Sequence, residues 1–226
     1  MLKIGHRGAR GYEPENTLIS FQKAMDLGVD GIELDVHLSF DGEIIVIHDE
    51  TVDRTTNGKG AVNDLAVTEL KKFHTDKNQQ IPSLIEVLDL VNKKVFVNIE
   101  LKGKGTAKPV VELIGKYIEK QQWSYKDFII SSFDWSLLEE VAILNPQIAI
   151  AVLTESTVQA ALAFAKKIKA TAINPDYTLL TPENSKQLKA DGFQIFPWTV
   201  NEIEDITTMK YYGVDGIISD YPDRIS

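Results

Sequence analysis

Residues 31–37, GIELDVH, alternate Ile32, Leu34 and Val36 with Glu33, Asp35 and His37. Side chains two apart in a strand share a face, so one face of this segment is wholly apolar and the other carries three ionisable groups. A strand with one face in water normally shows scattered Thr, Ser or Lys there, not two neighbouring acids. The carboxylates repel each other unless a cation stands between them.

The same logic recurs in KVFVNIELK, 94–102, where Val95, Val97, Ile99 and Leu101 form one face and Phe96, Asn98, Glu100 and Lys102 the other. Between these segments, the Asp41-Gly42 pair in ELDVHLSFDGEIIVIHD suits a two-residue hairpin turn. Such a turn sets Asp35 opposite His48, and a bulge would shift the pairing by one residue. At the front of the chain, His6 shares parity with Leu2 and Ile4 and should point the same way as they do. Arg7 has the opposite parity and reaches that side only if the turn at Gly8 redirects it.

The rest of the chain supplies the frame. LKIGHRG, GIELDV, KVFVNIELK, FIISSF, IAIAVLT, TAINPDY, QIFPWTV and VDGIISD read as eight strands, with helical segments such as NTLISFQKAMDLG and AKPVVELIGKYIEKQQ between most neighbours. Eight such units predict a (β/α)8 TIM-type barrel, with a doubly wound open sheet as the alternative. GVDGIELD at 28–35 and GVDGIISD at 213–220 echo each other, each with a glycine suited to the left-handed position after a helix. The polar stretch 49–81 is too long for a plain strand-to-helix loop and is expected as a rim insertion after the second strand, within one domain spanning 1–226. No full helix fits after the eighth strand, so something else must cover that flank.

In a barrel, the outward face of each strand packs on helices and the inward face can become polar near the mouth. Glu33, Asp35, Glu100 and Lys102 then converge there. A hard divalent cation, Mg²⁺ or Ca²⁺, suits an all-carboxylate site without thiolates. The other reading is a set of salt bridges, Glu100 with Lys102 and Asp35 with His48. His37 reads as a satisfied or rim histidine rather than a ligand, His74 as solvated, and Trp198 as either core packing or an aromatic wall of the mouth.

Composition excludes more than it assigns. The 226 residues contain no cysteine, which removes disulfides, thiolate metal sites and thiol nucleophiles. A net charge of −9 disfavours nucleic acid and anionic membranes as partners. The N-terminus has no signal-like apolar segment and no long apolar run follows, so a cytoplasmic protein without stable membrane insertion is expected. GARG and TTNGKG lack the strand-to-helix context of a dinucleotide or Walker site.

HRG (6–8), PENT (14–17), GIELDV (31–36), DGEIIVIHD (41–49), RTTNGKG (54–60), IELK (99–102), WTVN (198–201) and DGIISDYP (215–222) together resemble the glycerophosphodiester phosphodiesterase family, in its order and over essentially the whole chain. The resemblance implies a TIM-type barrel that hydrolyses a small glycerophosphodiester, such as glycerophosphocholine or glycerophosphoethanolamine, to glycerol 3-phosphate and an alcohol. It makes Glu33, Asp35 and Glu100 ligands of one divalent cation. His6 and His48 become the acid/base pair, and Arg7 and Lys102 the phosphate holders. A relative acting on lysophospholipids or inositol phosphodiesters would share this chemistry, but the polar insertion favours a water-soluble substrate. A non-catalytic phosphodiester-binding barrel would be expected to lack a histidine or a ligand, and none is missing.

Overall fold

The computed structural model describes residues 1–225. Eight parallel strands follow one another around a barrel: β1 (Leu2–Gly5), β2 (Gly31–Leu38), β4 (Phe96–Leu101), β5 (Phe128–Ser132), β6 (Ala149–Thr154), β7 (Ala172–Pro175), β8 (Gln194–Ile195) and β9 (Gly216–Ser219). The short β3 (Ile44–Val46) pairs antiparallel with β2 outside this ring. Closure excludes the open sheet. β1 pairs with both β2 and β9, and the segment continuing β8 meets β9 through Asp215 N to Ile195 O (3.1 Å), Ile218 N to Pro197 O (3.0 Å) and Val200 N to Ile218 O (3.0 Å).

Helices fill the connections: α1 (Leu18–Asp26), α3 (Leu84–Val91), α4 (Ala107–Gln121), α5 (Trp135–Leu144), α6 (Val158–Ile168), α7 (Pro182–Ala190) and α8 (Ile203–Tyr211), with a one-turn α2 (Val67–Leu70) in the insertion. Their apolar faces cover the outward strand residues, among them Ile32, Leu34, Val36, Val97, Ile99 and Ile130, in one continuous core. Thr17 and Ser83 cap α1 and α3 through side-chain oxygens, supplying acceptors that the first turns otherwise lack. The echoed glycines behave as their sequence predicts: Gly28 and Gly213 both have φ +73° and release α1 and α8 into the strands flanking β1. Among the described residues, no α-helix follows β9, only a 3-10 turn over Pro222–Arg224. Buried Ile225 packs into the outer core instead.

Inside the barrel, Ile4, Ala151, Ala172, Phe196 and Ile218 form an apolar plug. Phe96 of β4 and Ile129 of β5 pack against this plug, and the polar inward residues Asn98, Glu100 and Ser131 follow them toward the C-terminal ends of those strands, beside Glu33 and Asp35 of β2. The barrel is thus packed below and chemically equipped above.

The hairpin corrects one expectation. Val36 pairs with Val46 and Leu38 with Ile44, so Asp35 stands opposite Ile47, not His48. The loop has three residues, Phe40, Asp41 and Gly42, with Gly42 at φ +84°. The Ser39 hydroxyl donates to Asp41 Oδ1 (2.7 Å) and accepts from Glu43 N (2.9 Å), and this favours the longer turn. Beyond β3, residues 49–81 enclose a small core of Val52, Val62, Leu70 and Ile81 with Ile45 and Ile47. Among the described residues, no helix is long and apolar enough to cross a membrane.

Candidate active site

The site begins with the turn after β1. Arg7 and Gly8 have φ +49° and +88°, and a Cβ on Gly8 would fall 2.3 Å from Ser20 Oγ, so only glycine fits. Ser20 Oγ donates to Arg7 O (2.9 Å), tying the turn to α1. This geometry brings Arg7 to the mouth despite its parity. Its backbone N–H donates to Glu33 Oε2 (2.9 Å), its guanidinium donates to Glu15 Oε1 (2.7 Å), and its Nε lies 3.4 Å from Asp35 Oδ2.

Glu33, Asp35 and Glu100 are buried and offer oxygens that all lie within 4.8 Å of one another. Asn16 Nδ2 donates to Asp35 Oδ2 (2.9 Å). Glu33 Oε1 and Asp35 Oδ1 have no hydrogen-bond partner. Lys102 Nζ stands 3.0 Å from Glu100 Oε1 as an ion pair. Burial and mutual repulsion push Glu33 well above the carboxylate range and Glu100 up to about 7. The salt-bridge reading therefore accounts for only part of the cluster. Glu100–Lys102 forms, but Asp35 pairs with Arg7 and Asn16, and two protein cations face three acids, of which Glu33 and Asp35 each keep an unpartnered oxygen. This all-oxygen donor set fits a hard divalent cation.

Two Asp–His pairs flank the trio. His6, on the β1–β9 side, has Nδ1 2.6 Å from Asp220 Oδ1, and Asn201 Nδ2 donates to Asp220 Oδ2 (2.9 Å). His48, on the β2–β4 side, has Nδ1 2.6 Å from Asp49 Oδ1 and Nε2 3.1 Å from Lys102 Nζ. An ammonium only donates, so His48 Nε2 accepts and Nδ1 carries the proton towards Asp49. Burial lowers the pKa of both imidazoles, against the opposing pull of Asp220 on His6 and of Asp35 and Asp49 on His48. His37 is satisfied, with Nε2 3.0 Å from His48 O. His74 is half-buried beside a separate groove of about 910 Å³.

A cavity of about 420 Å³ opens over this constellation and takes in His6, Arg7, Glu33, His48, Glu100 and Lys102. Trp198 is wall as well as packing. It lines the cavity, meets Phe133 edge-to-face at 5.3 Å and donates from Nε1 to Asn174 O (2.9 Å). Sequence reasoning missed Asp49, Asp220, Asn201, Asn16, Glu15 and Arg54. All six lie in the motifs PENT, DGEIIVIHD, RTTNGKG, WTVN and DGIISDYP that carry the family resemblance, which by themselves give them no role. Arg54 holds Asp49 well below the carboxylate range. Together with Arg7 it overcomes burial to hold Glu15 at about 2.

The model of the glycerophosphoryl diester phosphodiesterase family matches residues 6–224. The chain belongs to this family. A glycerophosphodiester phosphodiesterase of Caldanaerobacter subterraneus is 40% identical over 99% of the chain and 96% of its own length. A phosphodiesterase of Oleispira antarctica, solved in complex with the product sn-glycerol-3-phosphate, superposes with a TM-score of 0.89 at 27% identity, over 98% of this chain and 94% of that one. The glycerophosphodiester phosphodiesterase of Thermotoga maritima gives 0.84 at 30% identity, over 99% and 96%. Both family structures match the barrel over nearly its full length.

Proposed function

We propose that the protein hydrolyses small glycerophosphodiesters, such as glycerophosphocholine or glycerophosphoethanolamine, to glycerol 3-phosphate and an alcohol, with residues 1–226 acting as one catalytic domain and 49–81 as its rim insertion. The observation that carries this reading is the placement of two Asp–His pairs on either side of three buried carboxylates in one cavity. Glu33, Asp35 and Glu100 hold one divalent cation, Mg²⁺ or Ca²⁺. When bound, it offsets the charge that a phosphodiester brings and develops further in the transition state.

The remaining work falls to the chain's own residues. Arg7 and Lys102 bind the phosphate oxygens, and Lys102 leaves His48 Nε2 free as it turns towards them. His6 and His48 act as the general acid/base pair. Each presents Nε2 to the substrate while its aspartate fixes the ring through Nδ1. Trp198 and Phe133 form an apolar wall against the substrate's carbon frame. Turnover of glycerophosphocholine and glycerophosphoethanolamine, followed by enzymatic detection of glycerol 3-phosphate, tests the activity directly.

Two further results are expected. His48→Ala should lower kcat by roughly 10²–10⁴ with circular dichroism unchanged, as loss of a general acid or base does. An unchanged kcat with a lower Tm would make His48 a structural residue.

The second concerns pH. The raised pKa values of Glu33 and Glu100 mean that the cation-free fold holds protons which the unfolded chain releases near pH 4.5. Their contribution to stability is complete below that value and is lost as pH rises through the folded-state pKa, about 7 for Glu100, with Glu33 acting in the same direction. A cation bound to the ionised trio reverses this loss. The Tm difference between millimolar Mg²⁺ or Ca²⁺ and EDTA should therefore grow from pH 5.5 to pH 8, reaching roughly 5 °C or more. Taking the difference cancels the histidines' own titration, whose lowered pKa values act in the opposite direction. A difference of the same size at every pH would contradict the assignment.

A further inference from the structure

We infer that Arg54, carried by the rim insertion, is a positioning residue that fixes the acid/base His48 and the phosphate-binding Arg7 at once. The inference rests on the roles proposed above for those two residues.

Arg54 touches neither the carboxylate trio nor the cavity's aromatic wall. One edge of its guanidinium grips Asp49, with Nε donating to Oδ2 (2.7 Å) and NH2 to Oδ1 (2.9 Å). The other edge grips Glu15, with NH2 donating to Oε1 (2.8 Å) and NH1 to Oε2 (3.1 Å). Asp49 Oδ1 is also the partner of His48 Nδ1, and Glu15 Oε1 is also the acceptor of Arg7 NH1. A continuous path thus runs from His48 through Asp49, Arg54 and Glu15 to Arg7 and on to Asp35. Both oxygens of each carboxylate are engaged, so neither can rotate away from its catalytic neighbour.

The two Asp–His pairs differ at this point. Asp220 is steadied by the neutral amide of Asn201, with Arg10 Nε farther off at 3.7 Å, whereas Asp49 faces a bidentate guanidinium. Two other ion pairs anchor the insertion, Lys77 Nζ to Glu13 Oε2 at 2.6 Å across the 910 Å³ groove and Lys71 to Glu86 of α3, and neither involves a catalytic side chain. Beyond Asp49 itself, Arg54 is therefore the insertion residue tied to both catalytic neighbours. Its side chain is half exposed, so replacing it should leave the fold intact.

The test separates the two arms by steady-state kinetics on glycerophosphocholine, with circular dichroism and Tm as controls for folding. Asp49→Asn should lower kcat, and Glu15→Gln should raise KM. Arg54→Gln should do both, with kcat falling roughly ten- to a hundredfold, as when an orienting partner behind an active-site histidine is removed. Arg54→Lys should not restore both, because one ammonium cannot form two bidentate bridges. In the Arg54→Gln/Asp49→Asn double variant, the kcat loss should be close to that of Asp49→Asn alone. Arg54→Gln with kcat and KM within about twofold of wild type would overturn the inference whatever its Tm, and so would full multiplicativity with Asp49→Asn. His48→Ala, run alongside, tells the failures apart. Its unchanged turnover would overturn the acid/base reading and this inference together, whereas its loss beside an active Arg54→Gln overturns this inference alone.

Discussion

Exhaustive chelation should abolish turnover, and added Mg²⁺ or Ca²⁺ should restore it. The expectation follows from charge and geometry in the mouth. Three carboxylates with oxygens within 4.8 Å of each other are buried beside Arg7 and Lys102, and Glu33 Oε1 and Asp35 Oδ1 are unpartnered. Leaving such oxygens without a partner is costly in a medium that screens poorly. An anionic phosphodiester entering the cation-free site would meet this cluster and have to compete with it for the two side-chain cations. Binding and transition-state stabilisation are therefore lost together. Glu100→Gln should resemble chelation in activity, because it removes one charge and one ligand without emptying the space. Full activity after dialysis against EDTA would refute the cation's role. Titrating the apo-protein with each ion decides between Mg²⁺, which demands near-octahedral oxygen geometry, and the more permissive Ca²⁺.

What the sequence made legible was set by how local each determinant is. The barrel was readable because the alternation in GIELDVH and NIELK obeys a two-residue period, which places Glu33, Asp35 and Glu100 on the inward face opposite Ile32, Leu34 and Ile99. The hairpin register was misread because a serine hydroxyl, not the Asp-Gly pair alone, chose the turn. Arg7 was ambiguous for a related reason. Its direction depends on positive φ at two successive residues and on contacts from Ser20 and Asn16, which parity cannot express. Asp220, steadied by Asn201, was invisible as the partner of His6 because only closure of β9 onto β1 brings together residues 214 positions apart. Glu15 and Arg54 are 39 positions apart, in the motifs PENT and RTTNGKG, whose order along the chain does not say that they meet. Their pairing is a property of the folded rim.

A substrate analogue lacking the hydroxyl on the carbon next to the esterified one should bind about as well as the substrate yet be cleaved orders of magnitude more slowly. In a glycerophosphodiester that hydroxyl is already tethered near phosphorus, and well-oriented internal nucleophiles reach effective concentrations of about 10⁵–10⁸ M. The two Asp–His pairs suit such a route because both histidines line one cavity, so that one imidazole can take a proton while the other delivers one. In the first step one imidazole removes the hydroxyl proton, the new O–P bond forms, the bond to the alcohol oxygen breaks, and the other imidazole protonates that oxygen. In the second step the roles reverse. The imidazole that gave up its proton takes one from water, water oxygen bonds to phosphorus, the ring O–P bond breaks, and the first imidazole returns the hydroxyl proton. Burial keeps both rings neutral more readily than in water, which favours the base. The acid partner's proton is retained by its aspartate and by the phosphate charge close to it. Direct attack by water would use the same residues, so the analogue and isotope labelling together discriminate the routes. Internal attack predicts a cyclic phosphate as first product, with no oxygen from labelled water until the ring opens. Near-normal cleavage of the analogue, with label already present in the first product, would instead establish direct hydrolysis.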